Sequence, residues 1–197
     1  MAHCRQLESE KVEIVRHQLA EIIERFHRKQ DAIKTAEIAE AFELHTIPGD
    51  VIQFARGQEV HSLLQRTGCW HHQVTSGGSP IAYVRSAASG AVRNEWSVQN
   101  FFVGPLAGKI HNAVTKLDAE RADENIEVML VTVPSYDLDF FLLRTDTATE
   151  IYLISTSSDG AGLIEGNFYS QEDFIEKLSG LPSAGLLTID RQHRGSA

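Results

Sequence analysis

The chain has 197 residues, 42% of them hydrophobic and 23% charged, and its formal net charge is −9. This composition fits a globular protein of one or two domains and argues against wholesale disorder and against a uniformly basic nucleic-acid-binding surface. The negative charge is uneven, because residues 1–93 hold 11 Lys or Arg and 11 Asp or Glu, whereas residues 94–197 hold 7 and 16. A charge difference between halves suggests two parts with different roles.

The cysteine content and the chain start restrict the class of protein further. Cys4 and Cys69 are too few for a disulfide framework or a paired-cysteine zinc site. The polar N-terminal sequence has no apolar signal core, and no apolar run is long enough to span a bilayer. We therefore expect a cytoplasmic protein with no membrane partner, and we predict no cofactor.

Two helices are predicted at the start of the chain. Residues 6–29 repeat apolar side chains at three- and four-residue spacing, which is typical of an amphipathic helix. Packing within its own domain and dimerisation through a coiled coil are both consistent with this stripe. Ile38 and Phe42, four residues apart, predict a second helix over residues 35–44.

A third helix is predicted after the break at Pro48. Asp50, followed by Gln53 three residues later, has the spacing of a capping box at a helix start. The helix is expected to run to about Arg66, although Gly57 leaves open two shorter helices.

A β-hairpin is predicted next, because CWHHQVT and PIAYVRS are both strand-like and SGGS between them suits a turn. Three helices followed by a two-stranded ribbon resemble a winged helix-turn-helix domain, a common DNA-binding module. The resemblance rests on IKTAEIAEAF as the second helix, QEVHSLLQRTG as the end of the recognition helix, and the hairpin as the wing. The sequence departs from the family at Glu43, where the tight turn often has glycine.

The resemblance implies that duplex DNA is the partner. In such domains the recognition helix enters the major groove, where Arg pairs with guanine and Gln with adenine. A wing used only for protein contacts is the alternative. The recognition-helix candidates are Gln53, Arg56, Gln58, His61, Gln65 and Arg66, and the wing candidates are His71, His72, Gln73 and Arg85.

The neighbouring histidines of the hairpin do not predict a metal site. Adjacent strand residues point to opposite faces, so His71 and His72 cannot easily chelate one metal ion together. Cys69 and His71 share a face, but two ligands do not make a zinc site. Cys69 also lacks a partnered base, as a nucleophile would require. We therefore predict neither metal ligands nor catalytic residues.

The second half is predicted as a separate α+β layer. Residues 86–95 suit a linker, and residues 97–118 predict a helix kinked near Pro105. Ser170 is expected to cap a short helix, with Asp173 at the capping-box position. The predicted strands are residues 126–133, 138–145 and 149–156 as an antiparallel meander, with a last strand in GLLTID, residues 185–190.

The predicted fold class is therefore α+β, with a three-helix winged helix-turn-helix over residues 1–90 and an antiparallel sheet with helices on one face over residues 91–190. We expect a DNA-binding transcriptional or replication-associated regulator whose C-terminal domain senses a small-molecule or protein effector or forms a homodimer. The alternatives are a winged protein-interaction adaptor that does not bind DNA, and an enzyme built on the C-terminal domain.

Overall fold

The computed structural model describes residues 2–3, 6–26, 35–52, 55–88, 95–157 and 162–180. These residues contain nine strands, five α-helices and one 3₁₀ helix. In chain order the elements are β1 (Ala2–His3), α1 (Ser9–Phe26), β2 (Ala36–Thr46), α2 (Gly49–Ile52), α3 (Val60–Leu63), β3 (Gln65–Ser76), β4 (Ser79–Ala88), β5 (Trp96–Phe102), α4 (Pro105–Glu120), β6 (Ile126–Val133), the 3₁₀ helix Pro134–Tyr136, β7 (Leu138–Arg144), β8 (Thr149–Thr156), β9 (Phe168–Ser170) and α5 (Gln171–Ser179).

The chain divides into two compact units, each made of two separate stretches. Unit 1 comprises residues 1–44 and 66–127, and unit 2 comprises residues 45–65 and 128–197. Strands β2, β3 and β6 each have residues in both units. The units thus divide the chain differently from the domains expected from the sequence, 1–90 and 91–190.

Unit 1 is built on a sheet with the strand order β5-β4-β3-β2. The predicted hairpin is confirmed, since β3 and β4 pair antiparallel through a turn at Gly77 and Gly78. Both glycines have positive φ, which side chains with a Cβ rarely adopt. The short β1 adds a parallel pairing, with Ala2 opposite Ile126 at the start of β6.

The sheet of unit 1 carries a helix on each face. The α1 helix contacts β5, and Val15 and Leu19 form an apolar cluster with Val74 and Val84 from the hairpin. The α4 helix contacts β4 from the other side. The hairpin is therefore covered by α1 on one face and by α4 on the other.

Unit 2 contains the strand order β6-β7-β8-β9, with antiparallel β7–β8 and β8–β9 pairs. Its core joins one face of these strands to the short helices α2 and α3 and to α5, which contacts β8 and β9. Phe140 and Phe174 meet edge to face at 4.9 Å in this core. The predicted strands and the Ser170 cap are confirmed, because Ser170 Oγ accepts a hydrogen bond from the Asp173 amide at 3.1 Å. The proposed strand at 185–190 lies outside the described residues.

The winged helix-turn-helix prediction is wrong. Residues 36–46, expected within the second helix and its following break, form β2. Residues 50–66 contain parts of α2, α3 and β3 instead of one recognition helix, and Gly57 between the short helices has a φ of +76°. The N-terminal region is thus a helix followed mainly by strands. The described residues do combine helices and strands, but the predicted α+β fold with a three-helix winged domain is wrong.

The predicted kinked helix over residues 97–118 is only half correct. Residues 96–102 form β5, and the helix begins at Pro105, where the missing amide hydrogen of proline does no harm. Within the described residues, no α-helix combines the length and apolar character needed to cross a bilayer.

Candidate functional site

The predicted recognition residues do not share one helix. Arg56 and Gln58 lie in the turn before α3, His61 lies in α3, and Gln65 and Arg66 begin β3, all of them exposed. Gln53 lies outside the described residues. Their contact with DNA stays a prediction.

The predicted wing residues lie on the hairpin, as expected, but mostly inside unit 1. His71, His72 and Gln73 have no exposed surface, and Arg85 is half-buried. Three side chains expected to face DNA are therefore enclosed between the sheet and its helices, and any role toward DNA stays a prediction.

One face of the hairpin and β5 carries six side chains in two cross-strand rows. In the first row Arg85 is opposite both His71 on β3 and Asn100 on β5, and in the second row Tyr83 is opposite both Gln73 and Phe102. Residues that are paired directly across strands lie on the same face of a sheet. We call these six residues, His71, Gln73, Tyr83, Arg85, Asn100 and Phe102, the polar face.

Several buried polar atoms of this face have no hydrogen-bond partner among the described residues. They are Nδ1 and Nε2 of His71, Oε1 of Gln73 and Nε of Arg85. Most buried polar atoms in proteins are hydrogen-bonded, and each one left unpaired costs about 1–3 kcal/mol. Four such atoms on three neighbouring side chains therefore mark this face as different from an ordinary core.

The environment of His71 keeps its ring neutral at physiological pH. Burial, which disfavours the charged ring, is the main reason that its pKa falls to about 3, and the positive charge of Arg85 lowers it further. The Gln73 amide lies close enough to raise the pKa to a smaller extent, but outside hydrogen-bond geometry. A neutral imidazole offers one N–H donor and one nitrogen acceptor, and both are unused here.

Three rings of the polar face form a stacked series from the buried to the exposed side. His71 stacks on Tyr83 with centroids 4.5 Å apart, and Tyr83 stacks on Phe102 at 4.8 Å. The Arg85 guanidinium carbon lies 5.7 Å from the Tyr83 centroid and 5.8 Å from that of Phe102. These distances are typical of cation–π contacts, which hold the guanidinium beside the rings without neutralising its charge.

The first turn of α4 lies against the polar face. Gln73 Nε2 donates to the carbonyl of Ala107 at 2.8 Å, which uses the amide donor and leaves its oxygen free. Ala107 and Ala113 are buried on α4, and such small side chains permit close approach of a helix to a sheet. The strand register and this single bond thus position the polar face beneath α4.

The opposite face of the hairpin offers an internal comparison. His72 Nε2 lies 2.7 Å from Ser86 Oγ, which also accepts a hydrogen bond from Trp96 Nε1 at 3.0 Å. Burial lowers the pKa of His72 to about 4. The only atom of this trio left without a partner in the described structure is His72 Nδ1, so the unpaired polar atoms are concentrated on the polar face.

The sequence identified only part of this site. His71, Gln73 and Arg85 are among the residues that the sequence predicts as DNA contacts, and Tyr83 lies in PIAYVRS, the predicted second strand of the hairpin. Asn100 and Phe102 were missed because their segment was assigned to a helix. No group of three or more His, Cys, Asp or Glu within the described ranges is arranged to hold a metal ion. Comparison with protein-family models, curated proteins and solved structures found no match.

Proposed function

We propose that this chain is a ligand-binding protein and that unit 1 binds a small polar molecule at the polar face. The observation that carries the proposal is the set of four unpartnered polar atoms on His71, Gln73 and Arg85. A ligand that supplies their partners would recover hydrogen bonds that the free protein lacks.

The available groups define what the ligand must offer. Neutral His71 requires one acceptor and one donor, the Gln73 oxygen requires a donor, and the Arg85 Nε requires an acceptor. Ordered water can serve the same atoms, since buried waters typically make about three hydrogen bonds. A face that binds a ligand should change its His71 environment when the right small molecule is added, whereas a face filled by water should not.

The test combines thermal denaturation with NMR of the histidine rings. The full chain, with ¹⁵N-labelled histidine, is screened against a panel of nucleotides, amino acids, sugar phosphates and organic acids. We expect at least one compound to raise Tm and shift the His71 ring nitrogens, and both effects to vanish in His71→Leu. The matched control is His72→Gln on the opposite face, which should retain them. The proposal fails if no compound moves the His71 resonances, as expected for a face filled by water.

The DNA-binding regulator expected from the sequence is a separate proposal that needs its own test. Binding of the full chain to duplex DNA should weaken steeply with rising salt because of counterion release. Neutralising the exposed Arg56 and Arg66 together should lower the affinity further. Absence of DNA binding at low salt would reject this proposal and leave the ligand proposal untouched.

A further inference from the structure

The polar face changes from buried to exposed across the sheet. Its β3 residues His71 and Gln73 are fully enclosed, whereas Asn100 and Phe102 on β5 are exposed, Phe102 by 37%. Because β5 is the last strand in the order β5-β4-β3-β2, this exposed margin is the part of the polar face that is open to a ligand from solvent.

The rings at this margin favour a flat partner. The planes of Tyr83 and Phe102 differ by only 22°, and those of His71 and Tyr83 by 21°. Phe102 ends the series and is one of the few large apolar side chains that the described part of the chain exposes. Another aromatic ring placed against Phe102 would continue the stack and cover apolar surface.

The charge at this margin favours an anion. Arg85 forms no ion pair with a described acidic residue, and its Nε is buried without a hydrogen-bond partner. A partly buried charge without a counter-charge is unfavourable, and guanidinium groups bind carboxylate and phosphate oxygens well. Arg85 contacts the Phe102 ring, so an anionic group and a stacked ring can belong to one molecule.

We infer, building on the proposed function, that the ligand of the polar face is a planar aromatic molecule carrying a carboxylate or phosphate, with its ring on Phe102 and its anionic group on Arg85.

Calorimetric titration of the full chain tests this chemistry with matched probes. Adenosine 5′-monophosphate is compared with adenosine, which lacks the anion, and with ribose 5-phosphate, which lacks the ring. Nicotinate is compared with nicotinamide to distinguish a carboxylate source from a phosphate source. We expect one anionic aromatic probe to bind at least about tenfold more tightly than its neutral or ring-free counterparts, as charge-assisted hydrogen bonds to a guanidinium allow.

Variants assign the two parts of the site. Arg85→Gln should lose about tenfold affinity for the anionic probe but little for the neutral one, and Arg85→Lys should restore part of the loss. Phe102→Leu should weaken binding of the aromatic probes about two- to tenfold, the range expected for an aromatic pair. Arg144→Gln, at an exposed position of β7 in unit 2, is the matched control and should change nothing.

The outcomes separate this inference from the function on which it rests. If the anionic aromatic probes bind no better than their counterparts, or if Arg85→Gln leaves their affinity unchanged, the ligand class is wrong. If another compound of the screening panel then still shifts the His71 ring, the ligand-binding function survives. If no compound does so, both fail.

Discussion

Lowering the pH from 7.5 to 5.0 should destabilise the protein through His71 and His72. Both rings are fully enclosed, and burial lowers their pKa values to about 3 and about 4. In the unfolded chain a histidine pKa is about 6.5, so the unfolded state binds protons more tightly. The free energy of unfolding is therefore highest above pH 6.5, where both rings are neutral in the folded and the unfolded state. It falls progressively as the pH drops toward the folded-state pKa values.

The magnitude follows from the difference between the assay pH and the unfolded pKa. At pH 5.0 the unfolded histidine lies about 1.5 pH units below its pKa, and each unit corresponds to about 1.4 kcal/mol. Each ring should therefore lower the free energy of unfolding by about 2 kcal/mol between pH 7.5 and pH 5.0, and the pair should lower it by about 4 kcal/mol. Typical proteins have about 5–15 kcal/mol of total stability, so the effect is large.

Urea denaturation at the two pH values, followed by tryptophan fluorescence, measures this loss. His71→Leu and His72→Gln should each reduce the difference between the two pH values by about 2 kcal/mol, whatever they do to stability at pH 7.5. His17→Gln replaces an exposed histidine of α1 and is the control. If both buried-histidine variants retain the full wild-type loss at pH 5.0, the buried rings are not its cause.

Three further predictions concern packing and capping, and all are measured as free energies of unfolding in urea. Gly49→Ala should cost about 1–3 kcal/mol because the new Cβ would overlap the Ser135 side chain, and Ser135→Gly should relieve this cost. Gly108→Ala is the control on α4, where a Cβ meets open space, and it should stabilise by up to about 1 kcal/mol. Ser170→Ala should cost about 1 kcal/mol through loss of the α5 cap, whereas Ser170→Asp should keep it, and equal losses would contradict the capping role. Phe140→Ala should cost about 3–5 kcal/mol in the core of unit 2, and a loss below 1 kcal/mol would contradict the packing.

The error at β2 shows how an ambiguous pattern becomes a wrong element. Ile38 and Phe42 are four residues apart, a spacing that places them on one side of either a helix or a strand. Ala and Glu fill six of the ten positions from Thr35 to Leu44, and both residue types favour helices. The alternating burial at the start of β2 results from its place in the sheet, and the propensities of the individual residues do not predict such strand pairing.

The error at β5 has a different cause. Val98 and Phe101 pack against the same core although they are three residues apart, a separation that normally places strand residues on opposite faces. The register explains this, because Ser86 pairs with Val98 and Arg85 pairs with Asn100, which leaves Gln99 as the extra residue of a bulge. Because of the bulge, the buried apolar residues of β5 are three positions apart, a spacing that in the sequence is typical of a helix.

The site was only partly predictable for the same reasons. The Gly77–Gly78 turn and the flanking strand patterns are local, so the hairpin bearing His71 and Arg85 could be derived. The hydrogen bond that Gln73 makes to Ala107 depends on α4, which follows in the chain only after β5, and a local pattern carries no information about such packing. The polar character of His71, His72 and Gln73 therefore predicted exposed positions, whereas the fold encloses all three side chains.

The division of each unit between two separate stretches has a consequence during protein synthesis. Ile47, Ile52, Val60 and Leu63 leave the ribosome early, but their core partners in unit 2 begin only at residue 128. Until those residues emerge, this apolar segment lacks most of its native core partners. Nascent chains stalled before residue 128 should therefore be bound by chaperones that recognise apolar segments, and completion of β6 to β8 should release them.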